Sequence, residues 1–341
     1  MLFELTDDHR GFGDSVDALL RRHVPASRLR EAWSDAEDYT SPVWKPLAHL
    51  GLLGVLVPED LGGAGGDYLD LVLPLEAAGR HAVPEPLVES VAILPSVLLT
   101  HGSQAEQERW LGPLAAGDLV AATMIGESDV VADGARADVL LVADGDALHL
   151  VPRDGFEARP VTGVDPGRRP ARCAPRLDAT TLLSDDPAAL QLARAVGAAA
   201  TASVLVGLCD HLVTTTRDYL LQREQFGQPI GAFQALKHRL ADVAVATEAA
   251  RSLSWRAAYD VSVDAPDLTS TALAKASASE AARLAGSAAL QLHGGIGFTW
   301  EHDLHLWLQR GRVLEAAFGT AHSHREAVGA RLLADHPRDA A

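Results

Sequence analysis

Arg223-Glu224-Gln225-Phe226-Gly227 and Gln291-Leu292-His293-Gly294-Gly295-Ile296-Gly297 are the most informative stretches of this sequence. The arginine can bind a pyrophosphate through two parallel hydrogen bonds, and the phenylalanine offers a flat face to a ring. A glycine pair lets a bulky polar ligand approach the backbone, and a glutamine adds amide contacts. Six residues, here called the candidate cofactor residues, therefore indicate a dinucleotide site: Arg223, Gln225, Phe226, Gln291, Gly294 and Gly295.

Each stretch also has a plainer interpretation when it is taken alone. The glycines can end a long helix, where a left-handed residue is common. Arg223 can be an ordinary surface cation. Neither stretch is a Rossmann or P-loop motif, because the glycine run does not follow a strand and open a helix.

Composition narrows the class of protein. The 341 residues are 48% hydrophobic and 22% charged, with a net charge of −17, which fits a globular protein of two or three domains. The negative charge argues against a nucleic-acid partner. Cys173 and Cys209 lack metal or redox spacing, so no metal site is expected. With no leader-like N-terminus and no apolar run judged long enough for a bilayer, we expect a cytoplasmic protein without a membrane partner.

The pattern predicts a mainly α-helical protein with a small central β region. Residues 1–118 form an N-terminal helical domain, with Thr6 and the Ser103–Glu106 pair as helix caps. Residues 119–188 form a truncated middle β domain, where Asp144-Gly145-Asp146 separates two apolar runs and predicts a hairpin. Residues 189–341 return to long helices, which we expect to form a four-helix bundle.

Taken together, these motifs resemble the acyl-CoA dehydrogenase family over nearly the whole chain and in the same order. The spaced pattern of Arg223, Phe226 and Gly227 with Gln291, Gly294 and Gly295 is similar to that family's C-terminal domain. Further matches are the segment 51–63 and Glu76-x-x-Gly79-Arg80 in the N-terminal domain, and the segment 161–166 with Arg169 in the middle domain.

The resemblance implies that FAD is the cofactor and that an acyl-CoA is oxidised to the 2,3-enoyl-CoA. In the family a carboxylate takes the α-proton, a hydride passes to the flavin, and an electron-transfer flavoprotein accepts the electrons. The candidate cofactor residues correspond to positions that hold the ADP half of a neighbouring subunit's FAD, and all six are intact.

The catalytic base of the acyl-CoA dehydrogenase family has no obvious counterpart in this sequence. Its usual position is the Glu of a Glu-Gly-Thr motif, and this chain has Phe318-Gly319-Thr320, whose phenyl ring cannot accept a proton. Other members carry the base on the helix after the Phe-Gln segment, beyond an arginine matching Arg251. Asp260 and Asp264 lie there and are candidate substitutes, although a shorter side chain has less reach. Glu315 is expected to be a surface or salt-bridge residue.

The middle domain also departs from the family. Only a short segment separates Thr123–Asp129 from the predicted hairpin, so some of the family's strands are missing from this sequence. The resulting hypothesis is a non-catalytic subunit that completes the FAD site of a paralogous full-length subunit. It resembles the short subunit of the α2β2 enzymes of actinobacterial steroid side-chain degradation. Two alternatives stay open, namely a homo-oligomeric dehydrogenase with a displaced carboxylate base and a flavin-free scaffold.

Overall fold

The computed structural model describes residues 5–34, 40–263 and 268–334. The N-terminal part is helical, as expected from the sequence. Its helices are α1 (Asp7–His23), α2 (Ala26–Ser34), α3 (Trp44–His49), α4 (Leu69–Arg80), α5 (Leu94–His101) and α6 (Gln104–Ala115). A π-helical turn, Val88–Ile93, leads directly into α5.

The predicted caps of α1 and α6 are confirmed. The Thr6 side chain accepts a hydrogen bond from the backbone N–H of His9, and the His9 side chain accepts one from Thr6 in return. Ser103 and Glu106 form the same reciprocal pair at the start of α6. Two otherwise unpaired backbone N–H groups are satisfied at each helix start, which fixes where these helices begin.

The middle part consists of two small sheets. The first has the order β1 (Ala121–Met124), β3 (Val139–Asp144), β4 (Ala147–Pro152) and β7 (Leu182–Ser184), in which β1 is parallel to β3. The second has the order β2 (Val130–Val131), β6 (Ala171–Pro175) and β5 (Phe156–Pro160). The β3–β4 hairpin is confirmed, and Gly145 supplies the positive φ of 59° that its turn requires.

The C-terminal part is a bundle of long helices, also as expected. They are α7 (Pro187–Gln222), α8 (Gln234–Ser262), α9 (Leu268–His293), α10 (Leu304–Ala316) and α11 (Ala321–Ala334). A minimal hairpin of β8 (Glu224–Gln225) and β9 (Gln228–Pro229) joins α7 to α8. The domain limits at 118 and 188 stay predictions, because a change of secondary structure does not by itself delimit a folding unit.

The expectation that no apolar run could span a bilayer is wrong for α7. Within the described ranges, this helix is long and apolar enough to do so by length and composition. However, 89% of its most apolar window is buried inside the protein. Its hydrophobicity is accounted for by packing, since α7 runs through the centre of the helical core.

A close approach of α4 to α7 explains the Glu76-x-x-Gly79-Arg80 motif. A Cβ atom on Gly79 would overlap the Val204 carbonyl oxygen, so only glycine permits this packing. The buried Glu76 carboxylate accepts hydrogen bonds from Arg251 and from the indole N–H of Trp255 on α8. The motif therefore joins the N-terminal and C-terminal helices.

Buried ion pairs join the middle part to both helical parts. Asp133 contacts Arg136 and Arg168, and the Arg168 guanidinium lies 2.7 Å from Glu89 on the π-helical turn. Burial opposes the charge of Asp133, yet its arginine neighbours hold the pKa of that carboxyl below its usual range. Arg310 of α10 donates to Asp165. Such pairs stabilise only when complete, because a lone buried charge is costly.

Candidate functional site

The β8–β9 hairpin presents Phe226 at the tip of a strained turn. Phe226 and Gly227 are the two loop residues, with φ of 54° and 76°, which is the type I′ pattern. Glycine, asparagine and aspartate adopt this conformation most easily, so a phenylalanine there is unusual. Its side chain is 90% exposed, and its ring makes an edge contact with the ring of Phe233. An exposed aromatic residue in a strained conformation points to a contact outside this chain.

Arg223 is fixed by its backbone and free at its guanidinium. Its N–H donates to the Tyr219 carbonyl at 2.9 Å, and its carbonyl accepts from the Ile230 N–H at 2.8 Å. In the described part of the chain, no carboxylate lies within ion-pair distance of the exposed guanidinium. The amide of Gln225 donates to the Glu224 carbonyl. The Arg223 backbone is thus held in place by two hydrogen bonds, and its unpaired guanidinium can bind an anionic ligand.

The glycine turn after α9 has one glycine that the fold requires and one that it does not. Gly294 has a φ of 63° and ends the helix in the left-handed region. Gly295 has no such φ, and a Cβ atom placed on it would meet no atom within 4 Å. The chain's own packing therefore does not explain Gly295, whereas the close approach of an external group would. Gln291, one turn earlier, is exposed.

The structure brings the two stretches to the same end of the bundle. Helices α7 and α9 run side by side in the same direction, so that both end here. The ring of Tyr219 stacks on the ring of His293, with centroids 4.5 Å apart and planes inclined by 22°. This region, called the hairpin end, carries all six candidate cofactor residues.

Phe318 lies in a very different environment, here called the Phe318 end. Its ring packs against the backbone of α7, since a Cβ atom on Gly197 would lie only 2.5 Å from the Phe318 Cδ1. Phe318 and Gly319 have φ of 54° and 103°. The position where a base is expected is thus occupied by an aromatic ring that fills space against a helix.

Two further side chains, which the sequence analysis did not single out, hold the Phe318 turn. The buried Lys275 donates to Ser279 Oγ, the Glu315 carbonyl and the Gly319 carbonyl, each at 3.0 Å. His324 Nε2 donates to the Phe318 carbonyl at 2.9 Å. Burial lowers the pKa of Lys275 to about 7, although Glu315 opposes this shift. The available signal was a lone lysine in an Ala- and Ser-rich helical segment.

Of the two candidate substitute bases, Asp260 and Asp264, the structure describes only Asp260, and that residue is held in an ion pair. Both carboxylate oxygens of Asp260 contact Arg256 Nε, at 3.0 and 2.9 Å, and the residue is buried. Glu315 lies 3.5 Å from Arg312, and burial raises the pKa of its carboxyl. Asp264 lies outside the described residues. Asp260 is therefore committed to an ion pair, whereas Glu315 lines two small cavities beside the Phe318 turn.

The two ends are far apart along the bundle. Gly197 marks the Phe318 end on α7, and Gln222 marks the hairpin end of the same helix. At the standard rise of an α-helix, these residues are separated by about 37 Å. This separation exceeds the length of an extended flavin dinucleotide. One cofactor therefore cannot contact both ends of the same chain.

Comparisons with known proteins show which family has this sequence and fold. Residues 6–118 match the model of the acyl-CoA dehydrogenase N-terminal domain, and residues 189–333 match that of the C-terminal domain. The acyl-CoA dehydrogenase IpdE2 of Mycobacterium tuberculosis is 35% identical over 303 residues, covering 87% of this chain and 88% of that protein. The human mitochondrial short-chain specific acyl-CoA dehydrogenase is 26% identical, covering 85% and 82%.

The solved structures that share the fold include two at more than 25% identity. A chain of the ChsE4-ChsE5 complex from Mycobacterium tuberculosis superposes with a TM-score of 0.90 and 26% identity, covering 99% of this chain and all of that one. A variant of the Tcur3481-Tcur3483 steroid acyl-CoA dehydrogenase gives a TM-score of 0.86 at 28% identity, covering 96% and 98%.

Proposed function

The chain belongs to the acyl-CoA dehydrogenase family, and we propose that it is the non-catalytic subunit of a heteromeric member, in which it completes the FAD site of a partner chain. FAD is the cofactor of this family. The observation that carries the proposal is the contrast between the two ends. The hairpin end keeps five of the six candidate cofactor residues exposed and Gly294 half-buried, while Phe318 fills the base position against Gly197.

The residues at the hairpin end fit the ADP half of FAD. The unpaired Arg223 guanidinium suits a pyrophosphate, which it can bind through two hydrogen bonds. The open backbone at Gly294 and Gly295 admits a ribose or phosphate at close range, and Gln291 adds an amide. The exposed ring of Phe226 offers a stacking face. When bound, FAD supplies the hydride acceptor for the 2,3-desaturation of an acyl-CoA thioester.

The base and the flavin-ring pocket then belong to the partner. A phenyl ring has no lone pair for a proton, so Phe318 cannot perform general base catalysis. The separation of about 37 Å between the ends prevents this chain from using its own hairpin end and its own Phe318 end on one cofactor. We therefore assign proton abstraction to a paralogous full-length subunit, in an α2β2 assembly.

The substrate and setting are proposed by analogy with the relatives. One superposed structure is a complex of two differently named chains, and another is described as a steroid acyl-CoA dehydrogenase. We infer that this chain acts in steroid degradation on a steroid-derived acyl-CoA, as part of lipid metabolism in the cytoplasm. Electrons would leave the assembly through an electron-transfer flavoprotein.

Substitution of Arg223 tests this function in the assembly. The chain is co-expressed with a full-length acyl-CoA dehydrogenase of the same organism, and the FAD retained by the purified heteromer is measured. Arg223→Ala should weaken FAD binding by about tenfold to 150-fold, the worth of a charge-assisted hydrogen bond. Arg217→Ala is the matched control, because that exposed arginine pairs with Asp218 on α7.

Unchanged FAD retention in the Arg223→Ala heteromer would reject the proposal in favour of a scaffold without a flavin role. Turnover by this chain alone would reject it in favour of a displaced carboxylate base. In that case Asp260, Asp264 and Glu315 would be replaced one at a time.

A further inference from the structure

We propose that Tyr219 and His293 are positioning residues for the candidate cofactor residues. Their stacked rings set the distance between the hairpin, which carries Arg223 and Phe226, and the glycine turn at Gly294 and Gly295. This inference rests on the proposed function, because it assigns a role within the same FAD site. It concerns two side chains that are not themselves expected to touch the cofactor.

The first argument is the direct linkage of each ring to one half of the site. Tyr219 lies one turn before Arg223, and its carbonyl accepts the Arg223 N–H at 2.9 Å. His293 immediately precedes Gly294 in the chain. With the ring centroids 4.5 Å apart, a shift of either ring moves the adjoining half of the site.

The second argument is that the His293 ring is held in one orientation. The residue is 2% exposed, and Nδ1 donates to the Ala289 carbonyl at 2.8 Å, which places the ring proton on Nδ1. Among the described residues, the buried Nε2 has no hydrogen-bond partner. A phenyl ring would stack on Tyr219 without leaving a buried acceptor unpaired. The Nδ1 hydrogen bond fixes the orientation of the imidazole ring, and a phenyl ring could not make that bond.

The third argument is that His293 contacts the chain on both sides of the glycine turn. His302, which follows the turn, meets the His293 ring edge-on with centroids 4.8 Å apart. Nδ1 of His302 accepts a hydrogen bond from the Leu304 N–H at 3.1 Å, so that ring is anchored at the start of α10. The turn from Gly294 to Gly297 is therefore closed around His293, and its position follows from that ring.

The test measures FAD affinity in the heteromer after the flavin has been removed and titrated back. Tyr219→Ala and His293→Ala should each raise the Kd for FAD about threefold to tenfold, the range expected for an aromatic pair. Tyr219→Phe keeps the ring and should bind FAD as the unmodified heteromer does. His293→Phe keeps the ring volume but loses the Nδ1 hydrogen bond, and its Kd should lie between those of His293→Ala and the unmodified heteromer.

A purely structural role would lower the melting temperature and leave the FAD affinity of the folded heteromer unchanged. Both quantities, and subunit association in the absence of FAD, are therefore measured for each variant. If the alanine variants fail to assemble, His293→Phe against Tyr219→Phe decides the question. Equal FAD affinity in those two variants would overturn the inference.

Arg223→Ala separates this inference from the function on which it rests. If Arg223→Ala does not change FAD affinity, the proposed function itself fails. If Arg223→Ala weakens FAD binding while all four ring variants bind normally, the hairpin end is the FAD site and only the positioning role is wrong.

Discussion

Two Phe-Gly turns in this molecule have nearly the same backbone and opposite surroundings. Phe226-Gly227 and Phe318-Gly319 both place the phenylalanine at a φ of 54° and the glycine at a larger positive φ. Phe226 is 90% exposed, whereas Phe318 packs against the core and Gly197. The same local strain is thus offset by core packing at one end, whereas at the other end the ring makes only an edge contact with Phe233. The exposed turn is the one that points to an external ligand.

The largest expected effect comes from filling the space beside Phe318. Gly197→Val should lower the free energy of unfolding by about 3 kcal/mol, because the new side chain overlaps the Phe318 ring. Chemical denaturation of the isolated chain measures the loss. In a Phe318→Ala background the same substitution should cost much less, because the two sites are coupled. Equal losses in both backgrounds would mean that Phe318 does not pack on Gly197 in solution.

A second test uses the buried amine that holds the Phe318 turn. With a folded pKa of about 7, Lys275 releases its proton far below the ordinary pKa of a lysine in the unfolded chain. The unfolded state binds more protons between these values, so stability rises with pH. Between pH 7 and pH 9 the unfolding free energy should increase by about 2 kcal/mol relative to Lys275→Met. Parallel pH profiles for the two proteins would contradict the burial of this amine.

Unlike Gly197→Val at the Phe318 end, a glycine substitution at the hairpin end should change ligand binding and leave stability nearly unchanged. Gly295→Ala adds a methyl group where no atom lies within 4 Å, so the unfolding free energy of the isolated chain should stay within about 0.5 kcal/mol. The Kd of the heteromer for FAD should nevertheless rise about tenfold, because the methyl group stands between the backbone and the cofactor. Gly227→Ala, in the left-handed region of the hairpin, serves as a control that strains the backbone instead. Normal FAD affinity in Gly295→Ala would remove this glycine from the site.

The smallest effect is expected at Phe226, where one substitution should raise the stability of the chain and weaken FAD binding. Asparagine tolerates a positive φ better than phenylalanine does. Phe226→Asn should therefore raise the unfolding free energy of the isolated chain by about 0.5 kcal/mol, which thermal denaturation detects as a higher melting temperature. The same change removes a stacking face and should weaken FAD binding by the heteromer. A variant that is both more stable and equally able to bind FAD would show that Phe226 serves no ligand.

The sequence was sufficient where the deciding interactions are local. The caps at Thr6 and Ser103 and the turn at Gly145 each depend on residues within one turn of the chain, and the structure has all three. The helical, β and helical order also follows from periodicity and from the family resemblance.

The rest depends on contacts between distant segments, which spacing does not encode. The packing of Phe318 on Gly197 joins α7 to the turn after α10, and Lys275 is buried although lysine is usually exposed. The apolar length of α7 could not distinguish a core helix from a membrane span until its neighbours were placed. The roles of the six candidate cofactor residues stay predictions, because exposure and an unpaired cation are compatible with a ligand without identifying it.

The central claim is that this chain holds FAD only together with a partner that has the base. The most direct measurement is the visible spectrum and flavin content of the chain purified alone and after co-expression with a full-length dehydrogenase of the same organism. We predict a colourless chain alone and a yellow complex with one flavin for each pair of unlike chains. A chain that is yellow and oxidises acyl-CoA by itself would contradict the account.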